Sequence, residues 1–160
     1  MVRAGPRKEY FPVYYVEPYK GNEIALGFDL ASNPIRLKAL NLSRDTGELV
    51  ATARITLVQE TSDQFGFMAF KPVYRKGAPI NSVEDRRENL QGFALGVFQI
   101  GDILKRALMD LEPCGIHVQL SDISAPRGER FLGFYSSPIY EQPASPLSEQ
   151  QAEQFYLYTT

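Results

Sequence analysis

The chain has one cysteine, one histidine and a net charge of only −2 over 160 residues, and each shortage narrows what it can do. A single cysteine, Cys114, makes no intramolecular disulfide, which fits a reducing compartment or a periplasmic domain that does without. A single histidine, His117, rules out a His-pair metal site, and a lone histidine in an alternating strand is more often a surface or satisfied residue. The small net charge and a pI near 5.5 provide no field to gather nucleic acid or an anionic membrane, so nucleic acid is not an expected partner. No apolar run approaches the roughly 18 residues that span a bilayer. The opening MVRAGPRKEY carries charge with no apolar core behind it, so no signal peptide is visible; if the parent protein is exported, its targeting segment lies outside this chain.

Catalytic groups are also sparse. Cys114 follows Pro113 and is reactive only with a base nearby. Glu84, Asp85 and Glu88 interleave with Arg86 and Arg87, as on a solvated helix turn, rather than forming a working carboxylate pair. Gly92 and Gly96 in GFALG lack the lysine and spacing of a phosphate loop, and Ser43 and Ser62 have no identifiable partner. No cofactor and no enzyme activity are expected.

What is present centres on Leu49 to Tyr74, which reads as two adjacent antiparallel strands joined by the polar turn Gln59 to Gln64. Between Leu49 and Val58 the odd positions Leu49, Ala51, Ala53, Ile55 and Leu57 are wholly apolar. The even positions Val50, Thr52, Arg54, Thr56 and Val58 mix methyls, hydroxyls and a guanidinium. Phe65 to Tyr74 continues in aromatic and β-compatible residues. A mixed face of this kind lines a small-molecule pocket or faces solvent. Arg54 correspondingly either clamps a ligand carboxylate or phosphate or pairs with a neighbouring acid.

Elsewhere, residues 1 to 9 suggest a ragged lead-in, Tyr10 to Val16 a strand interrupted by Pro12, Pro18 to Asn22 a turn, and Glu23 to Leu30 extended or irregular chain. Asn33, Pro34 and Gly47 frame a helix over about 34 to 46, with Ile35, Ala39 and Leu42 as its apolar stripe, Leu37 and Leu40 beside it, and Arg36, Lys38 and Asn41 facing away. The polar stretch after Tyr74 reads as a surface excursion, and Gly92 to Phe98 as a strand covered on both faces. Ile100 to Leu111 has helical spacing and should pack on the sheet; Gly115 to Leu120, Arg130 to Tyr135 and Phe155 to Thr160 read as strands, with a proline-rich loop over 138 to 150. The order implies an α+β fold, an antiparallel sheet with helices to one side.

The blocks PVYYVEP, NEIALGFDLASNPIRLKALNLSRDTG, ATARITLVQE, GFMAFKPVYR and GFALGVFQIGDILKRAL, kept in order between about Val13 and Leu120, resemble the CHASE sensory domain. That module is the extracytoplasmic ligand-binding domain of bacterial sensor histidine kinases and diguanylate cyclases and of plant cytokinin receptor kinases. The resemblance implies two PAS-like α/β lobes behind a long N-terminal helix, ligand in the membrane-distal lobe, and a homodimer anchored through membrane segments outside this chain. Residues 1–98 would be most of the distal lobe, and 99–160 a connecting helix with part of the proximal one. It also implies that the first helix is missing and that the chain ends inside the proximal lobe.

In the plant receptors the hormone is held at positions matching Thr52, Val58 and Phe70. The receptors' ring-pairing carboxylate falls near Arg36, and a strand threonine near Phe70 is aromatic here. Both departures argue against cytokinin and toward a more acidic or more apolar ligand, with Arg36, Arg54, Thr56, Phe67 and Met68 among its neighbours. The alternatives are a structural or dimerisation domain whose hollow is filled by Phe67 and Phe70, and a small hydrolase using Cys114 or His117.

Overall fold

Helix α1, Pro34–Thr46, starts and stops for local reasons. The Asn33 side chain accepts hydrogen bonds from the amides of Ile35 (2.9 Å) and Arg36 (3.4 Å), and Pro34 occupies the first turn, where an N–H would have no partner. Gly47, at φ 80°, closes the other end in the left-handed conformation and donates to the Ser43 carbonyl at 2.9 Å. The computed structural model describes residues 5–56, 65–109, 115–139 and 144–153. It falls into two units, Met1–Thr52 with Met68–Gly96 and Ala53–Phe67 with Val97–Thr160. The fold is α+β, with antiparallel strand pairing and helices.

In the first unit, α1 buries Ala39, Leu40, Ser43 and Arg44, while Ile35 and Leu42 are 41% and 49% exposed. The expected stripe is therefore rotated. Leu40 and Ser43 are fully buried, and the Ser43 hydroxyl lies 2.9 Å from both the Phe70 and the Glu48 carbonyls. Satisfying those carbonyls turns a serine inward at the expense of two aliphatic side chains.

Strand β1, Val50–Ala51, pairs antiparallel with β3, Phe65–Tyr74, through Val50↔Phe70 and Ala51↔Ala69. Strand β2, Ile55–Thr56, pairs with the beginning of β3 through Ile55↔Gly66 and Thr56↔Phe65. From Ala51 to Ile55 the chain advances four residues while its partner advances three, from Ala69 to Gly66, so one extra residue sits between. Thr52 N–H still donates to the Met68 carbonyl at 2.8 Å, which locates the extra residue at Ala53 or Arg54. This bulge corrects the single even-numbered face expected over 50 to 58. Thr52 and Ile55 are buried, and Ala51, Ala53 and Thr56 are exposed. Thr52 and Thr56 consequently do not share a side; Val58 and the turn Gln59 to Gln64 lie outside the described residues.

Along β3 the even positions Gly66, Met68, Phe70 and Pro72 are buried, as alternation requires. Helix α2, Val83–Asn89, lies within the polar excursion and opens on a reciprocal capping box between Ser82 and Asp85. Strand β4, Leu90–Gln99, pairs with β3. Its end is not covered on both faces, since Val97 and Phe98 are 53% and 40% exposed. Residues 11–13 form no regular strand but run antiparallel to 27–30, with Leu30 N–H donating to the Phe11 carbonyl and Val13 N–H to that of Phe28, each at 3.0 Å. The lead-in is held rather than ragged from Gly5 onward: Tyr10 O–H donates to the Gly5 carbonyl and accepts from the Arg7 amide.

In the second unit, α3, Ile100–Leu108, packs on β6, Phe131–Tyr135, which pairs antiparallel with β5, Val118–Ser121. Gly133 permits that contact: a Cβ there would stand 2.8 Å from Ile100 Cγ2. The short helix α4, Glu149–Ala152, begins at the end of the segment 138 to 150 expected to be loop, runs past it, and is capped by Ser148. Leu111, Cys114 and Phe155 to Thr160 lie outside the described residues.

Candidate functional site

The inner face of the first unit collects three of the sequence-predicted site residues. Thr52 is buried, with its Oγ1 accepting from the Met68 amide at 3.1 Å, and Met68 and Phe70 alternate inward beside it. Phe70 is fully buried; its ring meets Phe93 edge-on at 6.1 Å, and Phe93 meets Phe11 at 5.7 Å. The wall is apolar with one hydroxyl, and that hydroxyl already serves the backbone of the bulged strand.

Arg36 belongs to the same unit and does not face away as its position in the helix suggests. Its guanidinium lies over the Phe28 ring at 5.2 Å, and its Nε is buried without a hydrogen-bond partner among the described residues. Burial holds its pKa below the ordinary arginine value, the mark of a charge stripped of water and not repaid by an acid. Such a group attracts an anion, and a planar fork favours a carboxylate or phosphate.

Arg54 and Thr56 fall in the second unit. Arg54 donates to the carbonyls of Phe131 (2.8 Å) and Gly128 (3.2 Å) and lies over the Phe65 ring at 4.3 Å. Its charge is thus spent on tying its own bulge to the β6 loop region, rather than pairing with an acid. Thr56 is exposed, and Phe67 stacks on Phe98 at 4.9 Å. His117 stacks near Phe134 at 6.0 Å, and its Nδ1 accepts from the Ser137 amide at 3.4 Å.

Sequence reasoning missed a cleft of about 410 Å³ in the first unit, lined by Arg7, Lys8, Arg44 and Arg87 with Glu9, and by apolar surface that includes Phe11 and Leu37. Its cations are braced from behind. Arg7 pairs with Asp29 and donates to the Ala31 carbonyl at 2.6 Å; Arg44 reaches Glu9 at 3.0 Å and Asp45 at 2.9 Å. Arg87 grips both oxygens of Asp45, at 2.9 and 2.5 Å. The Arg87 hydrogen bonds, joined by Arg44 and opposed by partial burial, hold the Asp45 carboxyl far below the usual carboxylate range. Nothing in the local pattern says that residues 7, 44 and 87 meet.

Among the described residues no cluster of three or more His, Cys, Asp or Glu side chains is arranged to hold a metal, and no helix is long and apolar enough to cross a membrane. The family model of the CHASE domain matches residues 1–132. The hybrid signal transduction histidine kinase A of Dictyostelium discoideum is 31% identical over 153 residues, which is 91% of this chain and 7% of that protein's length.

Proposed function

The chain belongs to the CHASE domain family, and on that premise we propose that it is the extracytoplasmic small-molecule-sensing module of a membrane-bound signalling protein, a histidine kinase or a cyclic-di-GMP enzyme. In this reading residues 1–98 are most of the membrane-distal, PAS-like ligand-binding lobe and 99–160 the connecting helix and part of the proximal lobe. The parent is a homodimer that meets the membrane through segments outside this chain. The ligand is a small acid, set by Arg36 and bounded by Thr52, Met68 and Phe70. Arg54 is committed to main-chain carbonyls, Thr56 is exposed and Val58 lies outside the described residues, so the reading does not draw on them.

One observation carries the ligand class: the desolvated Arg36 guanidinium, whose buried Nε has no partner among the described residues. An acid bound there offsets the cost of that burial, and by binding one packing of α1 against β1 and β3 better than another it shifts a two-state element. A second reading, a structural domain whose hollow is filled by its own side chains, has the complete burial of Phe70 in its favour. Thermal melting and calorimetric titration against a panel of small carboxylic and phosphoric acids separate the two. A true ligand at about a hundred times its Kd stabilises the fold by ~2.7 kcal/mol, and Arg36→Gln removes the shift. A panel without any shift, or micromolar binding of adenine-type hormones, refutes the acidic-ligand reading.

A further inference from the structure

We propose that β4 is a docking edge for a second copy of this chain, which adds its own β4 antiparallel about a two-fold axis at Ala94. In the four-stranded sheet, β3 has β1 and β2 end to end along one side and β4 along the other. The two edges are unlike. The edge made by β1 and β2 is cut into two-residue strands by the bulge at Ala53 or Arg54, a device that blunts further pairing. Strand β4 runs unbroken over the ten residues Leu90–Gln99, carries no charge and no proline, and pairs with β3 alone. Among the described residues no other backbone hydrogen bond reaches Leu90 to Gly96. The N–H and C=O groups along its outer side are therefore open to an added strand.

The sequence of the edge selects the occupant. Outward from Ala94 the strand repeats itself, with the bulky apolar Phe93 and Leu95 one step away and Gly92 and Gly96 two steps away. A two-fold axis at Ala94 sets Ala94 against its own copy, Phe93 against Leu95 and Gly92 against Gly96, so apolar meets apolar, small meets small, and no charges oppose. Ala94 is exposed, which leaves the axis position accessible. Gly92 is not needed by its own chain: its φ is not positive, and a Cβ there would meet nothing within 4 Å. Glycine weakens the interior of a strand, and it commonly marks the close approach of another backbone. An isologous pair also occupies both β4 edges at once and closes at two copies, whereas a foreign strand makes no use of the symmetry. This inference needs neither the ligand nor the membrane context proposed above.

Sedimentation equilibrium of the 160-residue chain over a concentration series should show reversible exchange between monomer and dimer with no larger species. Ala94→Asp and Ala94→Lys each set like charges face to face across the axis and should weaken the dimer at least about a hundredfold, and an equimolar mixture of the two should restore it as a heterodimer. Ala94 is exposed, so each variant should melt close to the parent, and recovery in the mixture shows independently that both are folded. In a Cys114→Ser background, Ala94→Cys should cross-link into a dimer on mild oxidation. Gln91→Cys should not, because its counterpart in the second copy lies about 20 Å along the sheet. A parent that stays monomeric at every concentration, dimers indifferent to both charged variants, a mixture that stays monomeric, cross-linking through Gln91→Cys as readily as through Ala94→Cys, or association beyond two copies overturns the proposal.

Discussion

Replacing Asp45 by asparagine removes the carboxylate that braces two elements at once, because it accepts from Arg44 on its own helix and from both forks of Arg87 on α2. The two arms differ in worth. The Arg87 side chain is 53% exposed, so although its hydrogen bonds do most to lower the Asp45 pKa, water screens the pair and its worth to stability is discounted. The Arg44 side chain is only 10% exposed, and a charge-assisted hydrogen bond in that setting contributes about 1.5–3 kcal/mol. Three corrections reduce that figure. The amide of the Asp45→Asn variant keeps a neutral acceptor, Glu9 remains on Arg44, and Asp45 sits in the last turn of α1, where negative charge opposes the helix dipole at a cost of about 0.3–1 kcal/mol. The expected net loss is about 1–1.5 kcal/mol at pH 7, or ~2–6 °C in Tm for a chain of this size. The pH dependence carries a sign. The folded carboxyl protonates far below its unfolded value of about 4, so its stabilisation is fully present above that pH and declines as pH falls toward the folded pKa. Thermal unfolding by circular dichroism from pH 7 to 3 should show parent and variant converging on acidification. A gap that stays constant or widens below pH 4, or a variant as stable as the parent at pH 7, refutes the bracing role.

Ser43→Ala leaves the buried Phe70 carbonyl and the part-buried Glu48 carbonyl without the one proton that they share, and urea unfolding should register about 1–2 kcal/mol of lost stability. Phe70→Ala empties a site with no exposure and should cost about 3–5 kcal/mol in the same assay, with the near-ultraviolet signal of the Phe11–Phe93–Phe70 cluster lost first. Gly133→Ala drives a methyl to within 2.8 Å of Ile100 Cγ2 and 3.4 Å of Leu104 Cδ1; the expected loss in the same assay is about 1–3 kcal/mol.

The parts of the fold that are legible in advance are those written in neighbouring residues. Asn33, Pro34 and Gly47 act within one turn of themselves, so the bounds of α1 follow from chemistry that needs no tertiary partner. The inward alternation of β3 is likewise local. Helix α2 is half legible: the interleaved charges of residues 84 to 88 read as a solvated helix turn within a surface excursion, while the capping box of Ser82 and Asp85 that starts the helix goes unread. The rotated stripe of α1 is not legible, because Ser43 turns inward for carbonyls at residues 48 and 70, the second of them on another strand.

The site divides in the same way. Alternation along a strand holds only while each residue has one partner across the ladder, and a single extra residue at Ala53 or Arg54 reverses the assignments of Ile55 and Thr56. No residue type between 50 and 58 announces that bulge, and the partners of Arg54 beside it, the carbonyls of residues 128 and 131, lie 74 and 77 positions along the chain. Arg36 and Arg54 are the same residue type with the same suggested task, and what separates them is not local. Arg54 finds two carbonyls and a ring, while among the described residues Arg36 finds a ring alone. An arginine's chemistry is therefore readable from sequence, but whether its charge is already spent depends on long-range partners. The cleft at Arg7, Lys8, Arg44 and Arg87 is the extreme case, since its charges are brought together from three separate stretches of chain and its most available cation, Lys8, lies in the stretch expected to be unordered.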